Sequence, residues 1–339
     1  MNEKILKALR GVNYPGYERD IVDFRIVSGA EMEGNRITVG IKNILKPEIR
    51  AALEKDIRET LLKTFPGKTV SVSFKESGAE EKKEKKLSNI KHVIAVGSGK
   101  GGVGKSTVAV NLARAMAGQG ASVGLLDADI WGPSVHILTG KEKGEIFVNE
   151  NKKMIPVESH GMHVMSIGFF IEENNPVIWR GPLVVGALRQ LMDDVAWPDL
   201  DYLFIDMPPG TGDIQLSLAQ DAKIDGIVII TTPQKVAYVD AIKGILMFRK
   251  MDMPVIGIVE NMSYFQCPDT GKKYPIFGEG GGDHVSEKYG VPLLGRIPIE
   301  EIVVRSSDEG APVVDRYPDS LSAKAYGEIA STITRYFNG

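Results

Sequence analysis

The sequence predicts an α/β protein in which a parallel sheet is flanked by helices, preceded by a small α+β domain. Three observations carry this. Beyond residue 90, short runs that are apolar at nearly every position recur, and each ends in small or acidic residues. Strands apolar on both faces belong to parallel sheets covered on both sides. Stretches of helical periodicity lie between most of these runs. Upstream the pattern alternates instead, and the segment KESGAEEKKEKKLSNIK, nearly all charged or small, separates the two regions. The expected division is an α+β domain over 1–74, a charged linker over 75–90 and the larger α/β domain over 91–339.

Taken in order, EKILKALRGV reads as a helix, and IVDFRIVSGA and RITVGIKNIL read as strands. KPEIRAALEKDIRETLLKTF reads as a second helix with Pro47 in its first turn, and TVSVSF as a short strand. This gives the order α-β-β-α-β. Downstream, HVIAVGSG, ASVGLLDAD, LDYLFIDMPPG, DGIVIITTP, PVIGIVENM and VPLLGRIP are the strands, with STVAVNLARAMAGQG and VAYVDAIKGILMFRKM among the intervening helices. MHVMSIGFF also reads as a strand. In sheets of this kind ligands bind beyond the carboxyl ends of the strands, so the residues just after each apolar run are the ones to inspect.

Composition narrows the function. The chain has 339 residues, a formal net charge of −3 and one cysteine. Such a charge gives no overall pull toward nucleic acid or anionic membrane, and one cysteine makes no intramolecular disulfide. The apolar run in MNEKILKALRGV is too short for a secretory signal. No stretch reaches the roughly 18 uninterrupted apolar residues of a membrane span. The expectation is a soluble cytoplasmic protein with no nucleic-acid partner and no stable membrane association.

After the first large-domain strand comes GKGGVGKST, which fits G-x-x-x-x-G-K-S/T with Gly99, Gly104, Lys105 and Ser106. The backbone from Gly99 through Lys100, Gly101, Gly102, Val103 and Gly104 can curl its N–H groups around phosphate oxygens. Lys105 neutralises the outer phosphates, and Ser106, followed by Thr107, offers a hydroxyl to Mg²⁺. The helix that starts at Lys105 presents its positive end to the same anion. ATP and Mg²⁺ are the expected ligands. Lys100 is surplus to an ordinary phosphate loop and marks the deviant version, K-G-G-x-G-K-S/T.

Carboxylates fall where phosphoryl transfer needs them. Asp127 and Asp129 follow the second large-domain strand and Asp206 follows a later one. Asp129 is assigned to positioning the attacking water and Asp206 to the Mg²⁺ shell, with Asp127 a second candidate near the metal. Gly210 and Gly212 let the loop after Asp206 move with the γ-phosphate. Asn261, after PVIGIVE, is placed to hydrogen-bond a base edge.

Together, VGSGKGGVGKSTVAVNLARA, LLDADIWGPS, IDMPPGTGD and ENMSYF, in this order, closely resemble the Mrp/ApbC family of iron–sulfur cluster carrier ATPases, within the wider class that includes MinD and the nitrogenase iron protein. The resemblance runs from about residue 91 to the C-terminus, and GYERDIVDFRIV makes the N-terminal unit similar to the MIP18-type domain often fused in front of this ATPase. It implies a homodimer in which Lys100 reaches across to the partner's phosphates, as an arginine finger does. It also implies a 4Fe–4S cluster carried between subunits and passed to apo iron–sulfur proteins as clients.

The family usually shows C-x-x-C after ENMSYF; here the pair is Cys267 and Thr270. Four thiolates are the usual complement of such a cluster; a dimer of this chain offers two, and threonine is a poor iron ligand. Cys267 is open to three readings: a packed thiol, a partial ligand completed by glutathione, client cysteines or a non-cysteine group, or a redox use. Pro268 and Gly271 fit a turn that exposes the sulfur. His160 and His163 have ligand-like spacing, and His284 lies within reach of Cys267 in sequence; each reads more simply as an ordinary histidine. The alternative function is a cluster-free, MinD-like nucleotide-driven switch or scaffold. A membrane switch would need a basic amphipathic C-terminal helix, and SLSAKAYGEIASTITRYFNG has only Lys324 and Arg335 as cations.

Overall fold

The computed structural model describes residues 2–14, 20–24, 26–42, 47–75, 87–141, 146–170 and 181–339. The chain divides into two compact units, 1–83 and 84–339. Most of the expected linker lies outside the described residues.

The smaller unit contains α1 (Glu3–Leu9), β1 (Val27–Glu33), β2 (Arg36–Lys42), α2 (Pro47–Thr64) and β3 (Thr69–Lys75), the element order read from the sequence. Its sheet is mixed, with β1 antiparallel and β3 parallel to the central β2. Ile5 and Leu9 of α1 and Leu53, Ile57 and Leu61 of α2 are fully buried with Ile37, Val39 and Ile41 of β2. The helical spacing of the one set meets the alternation of the other, as each period requires.

In the larger unit the elements are β4 (Ile90–Ser98), α3 (Lys105–Gly118), β5 (Val123–Asp127), α4 (Val135–Leu138), β6 (Val157–Ser159), β7 (Met162–Ser166), α5 (Gly181–Asp193), β8 (Leu200–Asp206) and α6 (Asp213–Asp221). They continue with β9 (Gly226–Thr231), α7 (Lys235–Lys250), β10 (Val255–Glu260), β11 (Phe265–Gln266), β12 (Lys273–Tyr274), α8 (Gly281–Tyr289), β13 (Leu293–Arg296), α9 (Glu301–Asp308), α10 (Val313–Arg316) and α11 (Leu321–Asn338). Eight strands form one sheet in the order β13-β10-β9-β4-β8-β5-β7-β6. Every pairing is parallel except the edge pair β6–β7. One core layer joins α5, α6, α7 and α8 to the sheet, and the other joins α3 and α11.

Several details differ from the sequence reading. IVDFRIVSGA is a strand only from Val27, because Asp20 accepts the N–H groups of Val22 and Asp23 and holds 21–24 in a turn. MHVMSIGFF is a strand only to Ser166, after which Ile167–Phe170 forms a 3₁₀ turn. The antiparallel edge strand β6 has three residues, too few for its alternation to register.

Candidate functional site

The site is built at the carboxyl edge of the sheet, around the central strand β4. The loop after Ser98 is wedged between elements far apart in sequence. A Cβ at Gly99 would lie 2.1 Å from the backbone carbonyl carbon of Asp240 in α7, so only glycine lets the loop pass. Gly104 takes φ +81° at the start of α3, and a Cβ there would meet the Asn261 amide at 2.3 Å.

Lys105 is almost wholly buried, and its ammonium lies 2.6 Å from Asp206 and 3.7 Å from Asp129. Ser106 donates its hydroxyl to the other oxygen of Asp206 at 2.5 Å. Asp127 stands opposite Asp206 in the register of β5 and β8, so two carboxylates reach the sheet edge at one level. Burial, then the neighbouring Asp206 charge, pushes Asp127 up to about 7. Burial also raises Asp129, against the pull of Lys105.

Asp127 differs from its neighbours in how it is used. Its oxygens accept the backbone N–H groups of Asp129, Ser134 and Val135 at 3.1 Å and the Ser166 hydroxyl at 2.9 Å. The carboxylate therefore supports the loop carrying Asp129. Asn261, expected at a base edge, also has a partner within the chain. Its amide donates to the Val103 carbonyl at 2.9 Å, underneath the phosphate loop, because that turn leaves the carbonyl without a helical partner.

The loop after Asp206 is stitched back onto β4. Met207 N–H donates to the Val96 carbonyl, Gly210 N–H donates to the Ser98 carbonyl at 3.0 Å, and the buried Gln215 amide donates to the Pro208 carbonyl. Ser98 and Gln215 escaped the sequence reading because the Ser98 carbonyl meets Gly210 only through the pairing of distant segments, and the Gln215 contact with Pro208 depends on how the loop between them folds back.

A few residues beyond Asn261, Cys267 is half-buried in the hairpin of β11 and β12. Its N–H donates to the Lys272 carbonyl at 3.0 Å, and Gly271, at φ +68°, donates back to the Cys267 carbonyl at 2.9 Å. Pro268 and Gly271 thus sit in the expected turn. The Thr270 hydroxyl, helped by the Thr270 and Asp269 backbone amides, draws the thiol below its ordinary pKa. The position where the resemblance places a second cysteine carries a hydroxyl that favours the thiolate of the first.

The histidines lie elsewhere. His160 places its ring nitrogens 3.1 Å from an Asp315 oxygen and 3.1 Å from the Gly310 carbonyl. His284 is exposed beside the Tyr238 ring. Among the described residues no group of three or more His, Cys, Asp or Glu side chains is arranged to hold a metal ion.

Comparison with known proteins fits this geometry. The family model described as "ParA: NUBPL iron-transfer P-loop NTPase" matches residues 89–334. The iron–sulfur cluster carrier protein of Deinococcus radiodurans is 45% identical over 98% of this chain and 95% of its own length. The chain belongs to this family. As a member of the iron–sulfur cluster carrier P-loop ATPases it is also 50% identical to the carrier protein of Pseudomonas fragi, over 74% of this chain and 87% of that one. A nucleotide-binding protein from Archaeoglobus fulgidus, solved in complex with ADP, aligns with a TM-score of 0.61 and 44% identity over 69% of this chain and 92% of that chain. The MinD cell-division ATPase of Pyrococcus furiosus shares the fold alone, at a TM-score of 0.55 and 22% identity over 73% of this chain and 99% of that one. Among the described residues no helix is long and apolar enough to cross a membrane.

Proposed function

We propose that this protein is an ATP-driven carrier of iron–sulfur clusters that acts in the cytoplasm as a homodimer and hands its cluster to apo-proteins. The observation that carries the reading is the segment after β10. Asn261 holds the phosphate loop from beneath, and the same stretch of chain continues into the hairpin where Cys267 is drawn toward the thiolate form. Nucleotide chemistry and a sulfur ligand thus share one short length of backbone.

In this reading Lys105 exchanges Asp206 for the outer phosphates of ATP, while the loop N–H groups and the start of α3 take the remaining oxygens. Asp206 and Ser106 are hard oxygen donors held 2.5 Å apart, a set that suits Mg²⁺. When bound, Mg²⁺ neutralises phosphate charge. Asp129 orients the attacking water, Asp127 holds the backbone that carries Asp129, and Lys100 reaches the partner's phosphates.

The cluster is cargo. Two copies of Cys267 supply two thiolates, and the other positions are filled by a small thiol such as glutathione or by cysteines of the client. Thr270 favours the Cys267 thiolate and takes no iron. The N-terminal domain, 1–74, docks clients, and 75–90 tethers it to the ATPase domain, 91–339.

The test is transfer. Protein reconstituted with iron and sulfide is mixed with an apo iron–sulfur acceptor, with ATP or a non-hydrolysable analogue, and the acceptor's visible absorption and activity are followed. The reading requires transfer that responds to nucleotide. Intact ATPase activity with no cluster held or passed would favour a cluster-free switch or scaffold.

A further inference from the structure

Ser98 is the last residue of β4 and is 4% exposed. Its two polar groups face different loops. The carbonyl accepts the Gly210 N–H at 3.0 Å, from the loop that follows Asp206. The hydroxyl donates to the Lys100 carbonyl at 2.9 Å. Immediately beside it Gly99 is pressed against the α7 backbone at Asp240. The chain at 98–99 is therefore fixed from two sides, and Lys100, half-buried, is the next residue along the loop.

We propose that Ser98 is a positioning residue for ATP hydrolysis, setting the direction of Lys100 through its hydroxyl and linking that lysine to the Gly210 loop through its carbonyl. A lysine side chain has many rotamers and is aimed only as well as its backbone is held. Holding the Lys100 carbonyl fixes the peptide plane from which that side chain leaves. Any displacement of Gly210 by the γ-phosphate releases the Ser98 carbonyl and is felt one residue before the phosphate loop. Ser98 itself touches no phosphate in this scheme. Nucleotide binding, supplied by the loop N–H groups and Lys105, should not depend on its hydroxyl.

The inference rests on the proposed role of Lys100, and a double-mutant cycle separates the two. kcat and KM for ATP, single-turnover rates and binding of a fluorescent ATP analogue are measured for the wild type, Ser98→Ala, Lys100→Ala and the double variant. Ser98→Ala should bind the analogue within about twofold of wild type and lose about three- to tenfold in kcat, the effect of one neutral hydrogen bond. KM should be nearly unchanged. In the Lys100→Ala background the same change should cost nothing further. An equal loss in both backgrounds, a rise in KM at constant kcat, or a wild-type kcat for Ser98→Ala would overturn the inference. Wild-type turnover by Lys100→Ala would remove the reading beneath it.

Discussion

The phosphate loop and the Cys267 hairpin contrast in how firmly each is built. At the loop, a buried ammonium meets two carboxylates, each held by further partners, and the turn is supported from beneath by Asn261 and from the side by α7. The hairpin consists of two strands of two residues each. It offers a single sulfur, tuned by Thr270. The phosphate loop is held from several directions by its own chain, whereas the hairpin carries one cysteine, which in the proposed function is completed by a second copy and outside ligands. In a carrier this asymmetry is useful, because a cluster held by a few protein thiolates is easier to give away.

The largest effect should come from breaking the firm end. Lys105→Ala removes the counterion of buried Asp206 together with the phosphate contact, so ATP binding should fall by at least about 100-fold. The fold should lose about 3 kcal/mol, as unpaired buried charges do. Calorimetric titration and denaturant unfolding report the two losses separately, and retained tight binding would undo the phosphate-loop assignment.

Lys100→Ala comes next. Binding should survive, while hydrolysis drops by about 10²- to 10³-fold, the scale set by removing a cation from a phosphoryl transition state. Steady-state turnover with parallel binding data checks this.

The smallest effect sharpens the weak end. Thr270→Val removes the hydroxyl that favours the Cys267 thiolate, so the thiol pKa should rise. With one cysteine in the chain, the pH dependence of alkylation reads this site alone. The reaction midpoint should move to higher pH in the variant, and an unmoved midpoint would show that Thr270 does not act on the sulfur.

How much of this was legible in the sequence depended on whether partners are near or far along the chain. The phosphate loop could be read because its function lies in consecutive residues between a strand and a helix. Asp127, Asp129 and Asp206 could be found because apolar runs end at them. That Asp127 supports a loop depends on Ser134, Val135 and Ser166, which meet it only through folding. The support that Asn261 gives the phosphate loop was hidden for the same reason, since its partner Val103 lies on another strand's loop. The turn at Cys267 was legible from Pro268 and Gly271. Strands β11 and β12 were not, because two residues carry no period.

The proposed function has a nucleotide-driven machine of this build hold an iron–sulfur cluster through Cys267. The most direct measurement is anaerobic reconstitution with iron and sulfide, with and without glutathione, comparing wild type and Cys267→Ala by visible absorption and iron per dimer. A cluster is expected in the wild type, strengthened by glutathione, and its loss is expected in Cys267→Ala with ATPase activity unchanged. Equal iron in both proteins, or none in either while ATP is still hydrolysed, would contradict it.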